Sequence, residues 1–205
     1  MNKIILALII SLSFSCNTPS ETKSGSPEQN SNEKPNTDSK IQAVIEIPAG
    51  TLDKFELNKN THKIEHEHKD GKPRVVQYLA YPGNYGYIPN TRLSKENGGD
   101  GDPLDVLVLG AAVERNDTIP IQIIGALKLL DKGEQDDKLI AVSANTPFSE
   151  IQSLKQLERE FPGTKSIIEI WFSNYKGKMK SQGFIGSKHA FTMLNLAQQD
   201  YKNSH

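Results

Sequence analysis

The sequence contains one cysteine, Cys16, so disulfides within the chain are excluded as a source of stability. Charge of one sign is missing too. With 24 Lys and Arg against 25 Asp and Glu, the net −1 supplies no electrostatic reason to bind nucleic acid. No segment repeats at a fixed period, which sets aside solenoid and propeller architectures. The apolar run at residues 4–10 is too short to cross a bilayer. Residues 17–40 hold no aliphatic or aromatic side chain, and such a stretch cannot bury enough apolar surface to offset its ordering entropy.

What stands at the N-terminus is Lys3, the apolar run, and small residues leading to Cys16. That order fits a secretory signal. A cysteine placed there resembles the end of a bacterial lipoprotein signal, where it is lipidated and becomes the new N-terminus. Leu12 lies four residues before Cys16, one further than the usual leucine, and an ordinary cleaved signal is the other possibility. The expected organisation is a signal peptide over 1–15, a lipidated Cys16 with a disordered linker over 16–40, and a folded domain over 41–205. It implies an exported protein held at a membrane by its lipid alone, with the domain in the periplasm or at the cell surface.

Within the folded part, "AVIEIP", "KFELN", "RVVQYL", "LDVLVL", "IQIIGALKLL" and "KLIAVS" read as short strands between Gly, Pro, Asn and Asp clusters. Helical spacing appears later. Ile167, Ile168, Trp171, Phe172 and Tyr175 share one helical face, and the lone Trp171 belongs to the core. A last helix is expected from Ser187 as N-cap, burying Phe191, Leu194 and Leu196. Strands first and helices last predict an α+β domain.

Two acidic clusters carry the chemistry. "DGDPLD" places Asp100, Asp102 and Asp105 at the mouth of an apolar strand. An EF-hand is excluded, because its glycine and glutamate positions hold Asp105 and Ala111. "LLDKGEQDDKLIAV" sets Asp131 and Asp136 on either side of a hairpin loop "KGEQ", with Lys138 on the same side of its strand as Asp136. A solvated hairpin explains the second cluster alone. Two clusters, each against an apolar strand and with no His or Cys among them, favour Mg²⁺ or Mn²⁺. Lys54, Arg74, Lys138, Lys176, Tyr85 and Tyr175 could supply cations and hydroxyls to a phosphate. Metal and cations together imply phosphoryl chemistry.

The motifs resemble those of the soluble family I inorganic pyrophosphatases. "DGDPLDVLVL" is similar to their D-x-D-P-x-D-V signature, and "LDKGEQDDKLIAV" to D-x(4)-D-x-K. "VIEIPAGTLDKFELNK", "GKPRVVQYLAYPGNYGYIPNT" and "WFSNYKGK" resemble the segments before and after them, in the family's order. The resemblance implies a small OB-like β-barrel packed by C-terminal helices, hydrolysing pyrophosphate to two orthophosphates with several Mg²⁺ ions. By it, Asp100, Asp105 and Asp136 hold an activating metal, Asp105 reaches a second, and Asp131 with Asp136 holds ions arriving with substrate. Glu46 binds outer-sphere water or a further metal. Asp102 orients the attacking water and accepts its proton, and Lys54, Arg74, Tyr85, Lys138, Tyr175 and Lys176 grip the phosphates. Glu56 supports the site from behind. Relatives form dimers or hexamers, so a homo-oligomer is expected, and "GKPR" leans towards a dimer.

His66 and His68 share a strand face, but two ligands do not close a zinc site. They fit a solvated edge hairpin, and His189, near a helix start, is structural or exposed. Two other functions stay open at this point: a tethered module that sequesters divalent metal or polyphosphate, and a phosphohydrolase of broader specificity.

Overall fold

A computed structural model describes residues 41–144, 146–177 and 179–204. The expected signal peptide, Cys16 and the linker lie outside these residues. The first strand, β1 (Gln42–Ile47), is followed by two small hairpins: β2 (Phe55–Leu57) with β3 (Ile64–His66), and β4 (His68–Lys69) with β5 (Lys72–Pro73). Then come β6 (Asn84–Tyr87), β7 (Asp105–Leu109), the 14-residue β8 (Thr118–Asp131), β9 (Glu134–Gln135) and β10 (Lys138–Ser143). Helices α1 (Leu154–Glu160) and α2 (Thr164–Tyr175) precede β11 (Met179–Gly186), and α3 (Ser187–Asn203) closes the order.

The pairings close on themselves. β1 pairs with β6, β6 with β7, β7 in parallel with β10, β10 with β8, and β8 returns to β1. β8 is long because its two halves serve different neighbours. Its start meets β1 through Thr118, Ile119 and Pro120, and its end meets β11 from Gly125 to Asp131. The result is an α+β mixed sheet.

Side chains that alternate along these strands enter two separate apolar clusters, as the two-residue period of a strand requires. Leu107, Leu109, Ile140 and Val142 join Leu154, Leu157, Ile168, Trp171 and Phe172 from α1 and α2. Val106, Val108, Leu139 and Ala141 join Ala190, Leu194 and Ala197 from α3. Burial on both faces explains why "VLVL" and "KLIAV" are continuously apolar rather than alternating. The sheet also needs close approach at Gly86. A Cβ there would stand 1.9 Å from the Val44 carbonyl oxygen.

Several local expectations are corrected. "RVVQYL" makes only an isolated bridge, Asp53 with Val75, because the segment wraps as a loop under the sheet. Ile167 is 61% exposed and rides the outer side of α2, whose buried face is Ile168, Trp171 and Phe172. On α3, Phe191 and Leu196 are exposed, since the helix meets the sheet through small residues at Ala190 and Ala197. Its N-cap is Gly186, and Ser187 is the first helical residue. The hairpin loop is Lys132–Gly133 with both φ positive, and Glu134 and Gln135 are already paired to β8. Strand β11, after two helices, breaks the strands-then-helices order.

Candidate active site

One cavity of about 230 Å³ collects side chains from both ends of the sequence. Glu46 comes from β1, Glu56 from β2, Tyr85 from β6, Asp105 from the first position of β7 and Lys138 from the first position of β10. Asp100 and Asp102 enter from the loop before β7, Asp136 from the step between β9 and β10, Tyr175 and Lys176 from the end of α2. Lys54 completes the wall beside Glu56. Eleven of the thirteen residues expected at the site therefore line one space. Arg74 and Asp131 do not line it. Arg74 donates two 2.7 Å hydrogen bonds to Glu67, and Asp131 lies 3.4 Å from the Lys176 ammonium.

The strand register explains the meeting. Asp105 opposes Tyr87 on β6, and the parallel pair of β7 and β10 sets Leu139 beside Val106. Asp105 and Lys138 each precede these paired residues, so both reach the same rim. The Lys138 ammonium, 2% exposed at its side chain, contacts Asp105 and lies 2.5 Å from Asp136 Oδ1. Burial pulls its pKa down, but the two carboxylates more than reverse this and leave it raised. For Asp136, burial pushes the carboxyl up and the Lys138 and Lys176 charges outweigh it, so its pKa is lowered. Its second oxygen, Oδ2, is buried without a hydrogen bond, 3.5 Å from Lys176 Nζ.

Glu46 is the opposite case. Burial, with the Asp105 charge adding to it, pushes its carboxyl up to about 8. The Leu57 N–H donates to it at 2.7 Å, and Lys54 opposes the rise without cancelling it. Asp102 is also raised, by burial and by Asp100, against the hydrogen-bonded Lys59. Lys54 pairs with Glu56, which holds the ammonium over the cavity.

The donor set is suited to a hard divalent cation. All the candidate ligands are carboxylates, and Asp136 brings a buried oxygen with no donor of its own. Among the described residues, though, no three carboxylates or imidazoles are gathered into a ready-made metal cage. Lysine ammoniums stand on them instead, Lys138 between Asp105 and Asp136, Lys59 on Asp102.

This geometry agrees with the similarity of the chain to known proteins. Residues 43–202 match the family model described as Inorganic pyrophosphatase. The chain belongs to the inorganic pyrophosphatase family. It is 35% identical over 155 residues to the mitochondrial inorganic pyrophosphatase of Saccharomyces cerevisiae, covering 66% of this chain and 50% of that protein. It is 32% identical over 169 residues to the inorganic pyrophosphatase of Campylobacter jejuni, covering 80% of this chain and 92% of the relative. The chain thus spans about half the length of the yeast relative and nearly all of the bacterial one. The crystal structure of the type I inorganic pyrophosphatase from Toxoplasma gondii superposes with a TM-score of 0.77 at 27% identity, covering 83% of this chain and 84% of that one. A Trypanosoma cruzi vacuolar soluble pyrophosphatase in complex with PPi gives 0.76 at 25% identity, covering 83% and 73%.

Other residues that line or support this site were not singled out from sequence. Asp137, 5% exposed, accepts from the Leu129 N–H at 2.9 Å and from Gln135 at 2.8 Å, and pairs with Lys128. It fixes the chain between Asp136 and Lys138. Asn84, fully buried, accepts from the Ala49 and Val113 N–H groups and donates to the Ala111 carbonyl, seating β6 for Tyr85. Lys59 lines the cavity and pairs with Asp102. Asp137 continued an acidic run and drew no separate signal. The partners of Asn84 and Lys59 lie 27 to 43 positions away and leave no local pattern. His66 stacks on Phe55 at 4.4 Å and His68 bonds to the His66 carbonyl, so these histidines finish an edge hairpin.

Proposed function

We propose that the chain is an inorganic diphosphatase that hydrolyses pyrophosphate to two orthophosphates with Mg²⁺, Mn²⁺ being able to substitute, on an OB-like β-barrel. The observation that carries this is the cavity itself. Carboxylates are interleaved with four lysines and three tyrosines in a space of about 230 Å³. The closed circuit of five strand pairings supports the barrel.

Asp100, Asp105 and Asp136 would hold the activating ion, Asp131 and Asp136 ions arriving with substrate, and Glu46 a further one or its water. Bound Mg²⁺ supplies charge neutralisation and lowers the pKa of the attacking water. Asp102, its pKa raised by burial and by Asp100, is set to take that water's proton. With divalent ions on the carboxylates, Lys138 and Lys176 would be released from their present partners to contact the phosphates. Lys54, oriented by Glu56, and the Tyr85 and Tyr175 hydroxyls join them in stabilising charge on the leaving group. Arg74, held by Glu67 beside Lys54, would join the grip if its pairing with Glu67 opened.

Orthophosphate release from pyrophosphate, assayed with and without Mg²⁺ on the full chain, tests the activity. Absence of Mg²⁺-dependent release refutes it. Equal rates on tripolyphosphate or ATP would favour a broader phosphohydrolase, and calorimetric binding of pyrophosphate without turnover a sequestering module.

The N-terminal segment supports an exported lipoprotein, anchored through Cys16 with the domain in the periplasm or at the cell surface. Palmitate incorporation that is lost in Cys16→Ala tests the anchor. A homo-oligomer, dimer or hexamer, is the assembly we infer, and light scattering tests it.

A further inference from the structure

We propose that Lys59 is a positioning residue for Asp102, and this rests on the diphosphatase function proposed above. Lys59 sits in the turn between β2 and β3 and reaches across the cavity mouth to pair with the Asp102 carboxylate. Among the described residues it is the cation paired with Asp102. The turn is built before it reaches that partner. The Asn58 N–H donates to the Lys63 carbonyl and the His62 N–H to the Asn58 carbonyl, each at 2.8 Å. Asn58 Oδ1 accepts from the Asn60 and Thr61 N–H groups. Thr61 and Asn58 each donate to Glu65 at 2.7 Å. A turn fastened at so many points presents Lys59 from a fixed base.

Asp102 needs such a partner. Its backbone is held, since its carbonyl accepts from the Leu93 N–H and its N–H donates to Asp100 Oδ1, both at 2.9 Å. Its side chain receives no comparable support from its own loop. Without Lys59 the carboxylate is free to turn about its own bonds, next to Asp100. The ammonium therefore does two things: it fixes the direction in which Asp102 faces the cavity, and it offsets negative charge at the acidic corner. Lys59 is 63% exposed at its side chain, so it can move aside without disturbing the core.

The test compares Lys59→Met, Lys59→Arg and Lys63→Met, the last an exposed lysine on the same turn, with the wild-type full chain. Lys59→Met should lower kcat about tenfold with KM for pyrophosphate changed less than about twofold, the size seen when an orienting partner is removed. Lys59→Arg should recover most of that loss. In substrate-free calorimetry, Lys59→Met should bind Mg²⁺ about fivefold more tightly, as expected from losing one charge a few ångströms away. Lys63→Met should leave both readouts unchanged. Wild type without Mg²⁺-dependent turnover would sink the diphosphatase function itself. An active wild type with unchanged kcat in Lys59→Met would sink only the role of Lys59. So would a loss carried by KM, an unchanged Mg²⁺ affinity, or an equal effect from Lys63→Met.

Discussion

The cavity has two unlike walls. On one, Asp105, Asp136 and Lys138 stand at the ends of paired strands over a buried core. On the other, Asp100, Asp102 and Lys59 stand in loops held by side-chain and backbone hydrogen bonds. The first wall cannot shift without breaking sheet pairings, while the second can adjust at the cost of a few exposed contacts. The charges on the sheet are therefore held in place, and the group proposed to take up a proton is on the loop. Changes on the strand wall should act on stability as well as turnover, and changes at Asp102 and Lys59 on turnover alone.

The largest effect sharpens the loop side. Asp102→Asn should lower kcat about a thousandfold, the range for losing a general base. Its thermal midpoint should stay within about 2 °C of wild type, since Asp102 packs no core. A matching loss of stability would break the contrast between the walls. Next comes the strand side. Lys138→Met removes the cation shared by Asp105 and Asp136 and leaves Lys176 near Asp136, and urea unfolding in EDTA should show a loss of about 3 kcal/mol. Mg²⁺ should restore part of it, because a divalent ion can replace the missing charge.

Gly86→Ala tests the strand wall away from any charge. The Val44 carbonyl stands where the methyl group would go, so the sheet must open, and about 2 kcal/mol should be lost at equilibrium unfolding. Glu46, on β1 but inside the cavity, gives the most gradual effect, the smallest within any one pH unit. Its carboxyl is raised to about 8 in the fold, so the folded protein holds a proton that the unfolded chain has released. That contribution is fully present below the ordinary carboxylate pKa and is lost as pH rises towards 8. Metal-free protein should therefore lose stability over this window by about 1.4 kcal/mol per pH unit at most. Glu46→Gln should flatten that slope, and a rising slope in wild type would contradict the burial of Glu46.

Both walls were legible in the sequence to different degrees. The strand wall announced itself, because Asp105 and Lys138 each abut an apolar run and the two runs must pair to be buried. Asp102 was legible through its signature. Lys59 was not, since nothing local to "LNKNTHK" says where its ammonium ends. The same limit applies to Glu67, which draws Arg74 out of the cavity lining. The fold class and the order of most strands could be read from apolar runs. β11 could not, because "MKSQGFIG" carries two glycines and three polar residues in a strand whose partner, β8, supplies most of the apolar surface. Ile167, Phe191 and Leu196 mislead for a related reason. Helical spacing identifies a stripe, but small residues such as Ala190 decide how closely that stripe approaches the sheet.

The closed circuit of strands bears on a different property, resistance to polymerisation. A strand with an unpaired side can template another chain, and closure removes that hazard from five of the strands. β11 remains as the long edge. It is interrupted by an irregularity between Ser181 and Gly183, with Gly183 at φ +85°, and it carries the exposed Lys180. A bent, charged edge offers a poor surface for strand addition, which disfavours growth into fibres at high local concentration.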